Sequence, residues 1–308
     1  MSLMRNVLLW ASENQWMRSN APKIFFVKKA VKRFMPGEHL DDAIEAAKVL
    51  QEKGLATVFT HLGENISELS EAEQATNHYT EVLEKIDQFK IETEISLKLT
   101  QIGLDLSFEK TYEYFSSIVR KAIEYNNFVW IDIEGSAYTD VTIDFYEKAR
   151  KEFENVGLCL QAYLYRTKDD LSRLINLKPA IRLVKGAYKE SQTIAFPKKK
   201  DVDRNFYELS LQMLEAQKNG TRSVFATHDV RLISQIQQAA KEKGIADNEL
   251  QFKFLYGIRM DEQMRLVERG HRVRSLISYG EFWYPWYVRR LAERPANVLF
   301  VLKSIFSK

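Results

Sequence analysis

The residues of this chain best suited to chemistry are a few cations accompanied by fewer acids. Lys98, Arg182 and Lys185 punctuate short apolar segments, and Arg289, Arg290 and Glu293 fall together near the C-terminus. Arg289 and Glu293 are four residues apart and so share one face of a helix. On spacing alone that pair could be a surface ion pair worth little. Tyr284, Trp286 and Tyr287 crowd the same segment, however, and apolar cover strengthens charge recognition. Two guanidinium groups suit a carboxylate and an adjacent acid suits an ammonium, so the set matches a small amino acid. None of these side chains can accept a hydride, so redox chemistry here requires a cofactor.

Other chemistries find less support. There is no HxH or HExxH, and His39, His61, His78, His228 and His271 are scattered, which disfavours a multi-histidine metal site. Asp132 and Glu134, two apart at the end of an expected strand, are the best metal reading, that of a metal-assisted barrel lyase or hydrolase. The neighbouring strands carry Gln161 and Arg182 rather than matching carboxylates. A glycosidase needs two facing carboxyl groups, and Gln161 and Tyr256 stand where one well-known barrel arrangement would have them.

The elements that must position these residues follow from periodicity. Short apolar runs near 55–59, 94–99, 127–133, 157–163, 179–185, 222–227, 250–256 and 272–277 alternate with amphipathic stretches. Such alternation implies βα units and a parallel sheet, and eight of them suggest an α/β fold closed as a (β/α)₈ TIM barrel. The rival, an open doubly wound sheet, lacks support because neither GxGxxG nor GxxxxGK occurs. Within the strands, Ile95 and Leu97 alternate with Ser96 and Lys98, Leu158 and Leu160 with Cys159, Gln161 and Tyr163, and Ile181 and Leu183 with Arg182 and Val184. Residues two apart share a face, so the apolar set faces the helices and the polar set the barrel interior. Part of that polar set could equally form internal salt bridges. Residues 1–38, rich in aromatic and basic side chains and ending near the breaker pair Pro36-Gly37, read as an N-terminal helical appendage; residues 39–308 read as the barrel domain.

Composition limits the setting. With 308 residues, 45 Lys plus Arg against 42 Asp plus Glu and a net charge of +3, the chain has no nucleic-acid footprint. The single cysteine, Cys159, fits a reducing compartment, and no apolar run reaches the roughly 18 residues that span a bilayer, so a cytoplasmic protein is expected. The basic, aromatic N-terminus and the tail 298–306 could touch the inner face of a membrane, or pack on the barrel.

Four strings occur together: IRLVKGAY (181–188), FATHD (225–229), FLYG (254–257) and YVRRLAERPAN (287–297). With Leu62-Gly63-Glu64 after the first strand, they resemble the proline dehydrogenase family in its short, single-function form. The resemblance implies a distorted (β/α)₈ barrel holding FAD non-covalently. It also implies oxidation of L-proline to Δ1-pyrroline-5-carboxylate by hydride transfer to the flavin N5, and electron delivery to a membrane quinone. Carried over, Lys98, Arg289 and Arg290 would bind the proline carboxylate, with Asp132 and Glu293 completing the ionic network. Arg182 would approach the N5 edge, where fixed positive charge stabilises arriving electron density. Gln161 would contact the isoalloxazine, Val184, Gly186 and Ala187 would offer backbone, and Tyr188 would enclose the substrate. Lys199, Thr227 and His228 would hold the pyrophosphate and adenosine portion, and Leu255 would pack on the proline ring.

The chain departs from the family pattern at Leu276, in RSLISYG (274–280), and at Trp286, where tyrosines that line the proline pocket are usual. These departures leave 4-hydroxyproline or a related cyclic amino acid as an alternative substrate. A degenerate barrel acting as a binding scaffold is the non-enzymatic alternative, though a scaffold has no reason to retain Arg182, Lys98, Arg289 and Arg290. The chain ends soon after the barrel, so a separate pyrroline-5-carboxylate dehydrogenase is expected to remove the product.

Overall fold

The computed structural model describes residues 7–8, 10–11, 14–20, 31–63 and 66–293. After a short helix α1 (Gln15–Asn20) and helix α2 (Leu40–Gln51), strands and helices alternate. The order is β1 (Ala56–His61), α3 (Leu69–Gln88), β2 (Thr93–Leu97), α4 (Phe108–Glu124), β3 (Val129–Ile131), α5 (Thr139–Glu152), β4 (Val156–Gln161) and α6 (Thr167–Ile175). There follow β5 (Ala180–Val184), α7 (Lys199–Gln217), β6 (Arg222–Ala226), α8 (Val230–Glu242), β7 (Gln251–Leu255), α9 (Met260–Glu268), β8 (Arg272–Tyr279) and α10 (Trp283–Glu293). The strands pair in parallel in sequence order, and β8 pairs back onto β1, closing the barrel. All eight expected strands are present. Among the described residues, no helix is long and apolar enough to cross a membrane.

Strand alternation separates two environments. The outward set, with Phe59, Ile95, Leu97, Leu158, Ile181 and Phe225, joins the main core against the helices. Those helices present matching stripes: in α4, Phe115, Ile118, Val119 and Ala122 are fully buried at helical spacing. The Ser107 hydroxyl accepts from the Lys110 N–H at 3.2 Å and caps that helix. Inside the barrel, Val58, Trp130, Ala180 and Val224 form a separate apolar cluster, with Phe128 and Leu276 packed against it.

Two expectations about strand ends are corrected. β3 is only three residues long, so Asp132 and Glu134 lie beyond it. The Asp132 N–H still bonds the Leu97 carbonyl at 2.8 Å, but the chain then turns toward the short 3₁₀ segment Ser136–Tyr138, and the two-residue alternation stops. β4 likewise ends at Gln161, leaving Tyr163 in the loop that follows.

A second core lies outside the barrel, where Val31, Phe34 and Met35 pack with Trp283, Trp286, Tyr287 and Leu291 of α10. Of the N-terminal segment read as helical, only part is described, and the tail 298–306 lies outside the described residues.

The Trp130 indole occupies the barrel axis because Gly157, its β4 neighbour in register, has no side chain. A Cβ at 157 would come within 2.6 Å of the indole and 2.9 Å of the Phe128 ring. Gly157→Ala is therefore expected to lower the free energy of unfolding by about 1–3 kcal/mol through overpacking, read as a lower urea midpoint at unchanged slope. An unshifted midpoint would mean that the indole has room to move.

Candidate active site

The site grows from the polar faces of β2 to β5. Arg182 on β5 is 4% exposed, and its guanidinium donates to the Asp132 carboxylate and, at 3.1 Å, to the Ser96 hydroxyl. Ser96 in turn donates to Asp132 at 2.8 Å, closing a triangle between β2, β5 and the turn after β3. Burial opposes charge on Arg182, but the Asp132 carboxylate outweighs it and holds the guanidinium above its ordinary pKa. The same guanidinium lies 5.3 Å from the Trp130 ring centroid, a cation–π contact on the indole that fills the barrel below. Cys159 stands beside Arg182 across the β4–β5 register, and burial pushes its thiol up, so it remains neutral.

Asp132 and Glu134 part company. Glu134 accepts from the Thr100 hydroxyl at 2.8 Å and the Thr100 N–H at 3.3 Å, whereas Asp132 serves Arg182 and Ser96. The two acids do not converge as a ligand pair, and the described residues contain no group of three or more His, Cys, Asp or Glu placed to hold a metal. The Gln161 amide donates to the Glu134 carbonyl at 3.2 Å, while its Oε1 is buried with no hydrogen-bond partner.

The loop after β5 forms one wall. Gly186 has φ +111°, a conformation that suits glycine, and lies so close over the Tyr163 ring that a Cβ would come within 2.2 Å of it. Glu190 clasps the loop in place, accepting from Ser136 through N–H (2.7 Å) and hydroxyl (2.6 Å) and from the Tyr163 hydroxyl at 3.4 Å. Val184, Ala187 and Tyr188 in this stretch are half-buried. The Arg289 guanidinium of α10 lies 5.2 Å over the Tyr188 ring, so helix and loop meet. Arg290 follows on α10, half-buried; Trp286 is buried in the second core at 8% exposure; Glu293 ends the helix, its side chain outside the described residues. Leu255 and Leu276 are register partners on β7 and β8, both half-buried, and Leu276 packs on the interior cluster.

Lys98, just past β2, is 9% exposed, and its ammonium has no ion pair or hydrogen bond among the described residues. On the opposite side of the barrel, Thr227 is buried after β6, and the His228 ring lies 5.6 Å from Phe254. Lys199 opens α7 with its side chain 70% exposed, paired with Asp203 and, at 3.5 Å, with Asp229. Lys185 reaches the same two acids, at 2.5 and 3.4 Å.

The proline dehydrogenase family model matches residues 43–303, a span that includes every element from α2 to α10 except the first residues of α2. The chain belongs to the proline dehydrogenase family. It is 38% identical to proline dehydrogenase 1 of Bacillus subtilis (strain 168) over 307 residues, 99% of this chain and 100% of that protein. It is 36% identical to the proline dehydrogenase of Deinococcus radiodurans, with 89% of each chain covered. Among solved structures, proline utilization A from Bdellovibrio bacteriovorus, inactivated by N-propargylglycine, superposes with a TM-score of 0.81. That match has 22% identity and covers 94% of this chain and 38% of the longer one; it bears on the fold. Family membership makes the chain an oxidoreductase.

Several groups in this family barrel escaped the reading of residue types. Trp130 shares a strand face with Asp132, so alternation could have placed it, but an apolar ring attracts no notice in a search for reactive groups. His61 ends β1 with its ring 4.4 Å from His78 and its Nδ1 3.1 Å from the Gln101 amide, which in turn accepts from Tyr79 at 3.1 Å. Burial, with His78 and Lys98 nearby, lowers the His61 pKa to about 4 from an ordinary 6.5. The unfolded chain therefore takes up a proton below 6.5 that the folded chain refuses until about 4. Stability contributed by neutral His61 is fully present above that window and falls as pH drops through it. Between pH 7 and pH 5 this group accounts for a loss of about 2 kcal/mol. Urea midpoints at the two pH values are expected to differ less in His61→Gln than in the native chain; an equal difference would assign the acid limb to other groups.

Proposed function

We propose that this chain oxidises L-proline to Δ1-pyrroline-5-carboxylate, using a non-covalently bound FAD and delivering electrons to a quinone. The observation that carries the reading is the buried ammonium of Lys98, without an ion pair or hydrogen bond among the described residues, at the mouth that also holds the Arg182–Asp132 pair. A buried cation without a counter-ion calls for an anion, and the substrate carboxylate is one. Arg289 and Arg290 of α10 assist it, with Glu293 completing the ionic set, and Tyr188, Leu255 and Leu276 bound the ring, whereas Trp286 packs into the second core behind them. The names of the curated relatives support proline as the substrate.

The residues at the ends of β4 to β6 fit a flavin. The Gln161 Oε1 is a buried acceptor in want of a donor, as the ring edge of an isoalloxazine would supply. Val184, Gly186 and Ala187 offer backbone beside it, while Thr227, His228 and Lys199 offer donors for a pyrophosphate and adenosine. When bound, FAD supplies a two-electron acceptor. Arg182 would hold a fixed positive charge toward it, since Asp132 and Ser96 already orient the guanidinium and no reorganisation would be needed to stabilise negative charge there. Lys98, Arg289 and Arg290 orient the substrate, and Tyr188 excludes water. Residues 39–308 form the catalytic unit in this reading, with residues 1–38 an appendage. Electron transfer to a membrane quinone calls for peripheral contact with the cytoplasmic face, and the product calls for a separate pyrroline-5-carboxylate dehydrogenase.

The test is anaerobic mixing with L-proline in a stopped-flow spectrometer. The flavin absorbance of the native protein is expected to bleach, and Arg182→Met to slow bleaching by about 100-fold while flavin content is retained. A colourless protein, or a mutant that reduces at the native rate, would overturn the assignment.

The placement of Leu276 supports a second substrate. It faces the barrel interior beside Leu255, where leucine leaves space that a tyrosine would fill. Leucine offers a 4-hydroxyl no hydrogen bond, and an unpaired hydroxyl costs about 1–3 kcal/mol, so 4-hydroxyproline is tolerated and proline preferred. The ratio of kcat/KM for 4-hydroxyproline over proline is expected to fall in Leu276→Tyr; an unchanged or higher ratio would place residue 276 outside the pocket.

A further inference from the structure

The end of the barrel opposite the mouth carries its own charge network. Glu94, one of the first residues of β2, is 5% exposed and accepts from the Trp130 indole N–H at 2.6 Å. Three basic side chains converge on this one carboxylate: Lys253 at 3.0 Å, Arg274 at 3.3 Å, and Arg222. They hold its pKa below the usual range despite burial, so it stays charged. Above this floor opens a cavity of about 1060 Å³, with Arg222, Arg272, Arg274 and Phe128 in its wall.

Four acids (Asp87, Glu92, Glu94 and Glu249) and four cations (Lys90, Arg222, Arg272 and Arg274) line this cavity, but they are unevenly paired. Asp87 is taken by Lys90 at 2.8 Å. Glu92, 69% exposed, reaches Arg274 at 3.4 Å, and Glu249 is exposed at the rim. Arg272 adds a further cation with no ion pair among the described residues. At depth the Glu94 carboxylate faces the Arg222 and Arg274 guanidinium groups and Lys253, whose pKa burial, with Arg182 and Arg222 nearby, pushes well below its ordinary value despite Glu94. The donors of Arg274 are poorly met. Arg274 contacts Glu94, Glu92 and the Thr57 carbonyl only at 3.3, 3.4 and 3.5 Å, longer than a good N–H···O bond. Arg222, 25% exposed, is better met: its Nε–H donates to Gln251 at 3.0 Å and its guanidinium also donates to Glu94, while the Phe128 ring 4.5 Å away fixes its plane.

We propose that this floor binds a small oxyanion, a carboxylate or a phosphate, on the fork of Arg274 with Arg272 at the rim. A planar guanidinium with unmet donors matches either group in two-point geometry. The site is separate from the substrate mouth, because these residues start their strands whereas Lys98, Arg182 and Arg289 lie at or beyond the other strand ends.

The test is thermal unfolding of the purified, flavin-loaded protein with inorganic phosphate or succinate, against sodium chloride at equal ionic strength. A ligand of the folded state raises Tm in a saturable way. Saturation at millimolar phosphate, succinate or both is expected, and which of them acts identifies the oxyanion. Arg274→Gln should abolish the rise. Arg272→Gln, at an exposed position that leaves the buried network intact, should weaken it by about 10-fold. Arg289→Ala, at the opposite mouth, should keep it. The proposal is overturned if chloride reproduces the rise, if both floor variants retain it, or if Arg289→Ala removes it.

Discussion

The buried pair of Arg182 and Asp132 is the interaction around which the upper half of the barrel is arranged. Taking both charges out of water is expensive, and their mutual attraction offsets this only when the remaining donors and acceptors are satisfied. Here Ser96 bridges the two, and the Trp130 face lies against the guanidinium. Each support comes from a different strand, so the pair exists only when β2, β3 and β5 are in register. Removing either charge would leave the other buried and unpaired, at a penalty of about 3–5 kcal/mol. A hydrophobic pair of the same volume would serve stability as well. What it could not supply is a cation of fixed position at the barrel mouth.

Much of this was legible from the chain because strand alternation is a local property. A two-residue period puts Ser96, Cys159, Gln161 and Arg182 on the interior face, and the apolar set of each strand does face the helices. The period fails where a strand stops early. Asp132 and Glu134 look like one ligand pair in the sequence, yet β3 ends at Ile131 and the turn sends Glu134 to Thr100. Strand length depends on neighbours far along the chain, and the window around residue 132 holds no sign of it.

The second gap has a different origin. Alternation says which face a residue takes, not which of its neighbours lies at the same height in the barrel. Glu94 shares a face with Ser96 and Lys98 but belongs to the floor, because strand tilt and stagger bring it level with Arg222, Lys253 and Arg274. These residues are spread from 94 to 274, and no spacing rule links them. Trp286 shows the same limit in a helix: next to the arginines in sequence, its ring turns to the core that α10 shares with Phe34 and Met35. The Glu190 clasp joins segments more than fifty residues apart and is equally invisible to a local reading.

Mouth and floor both touch the Trp130 side chain. Trp130 carries Arg182 at 5.3 Å from its ring and Lys253 at 3.9 Å, and gives its N–H to Glu94. An indole attracts cations to its face through its quadrupole and donates at its edge, so one apolar ring serves both charge networks without adding a charge. A polar residue at the barrel axis would need partners of its own and would open a path for water between the two ends. The indole closes the axis, and Gly157 is the vacancy in β4 that lets it do so. The separation of the two networks therefore rests on a large residue and a missing side chain in register, and the fixed charge at the mouth depends on both.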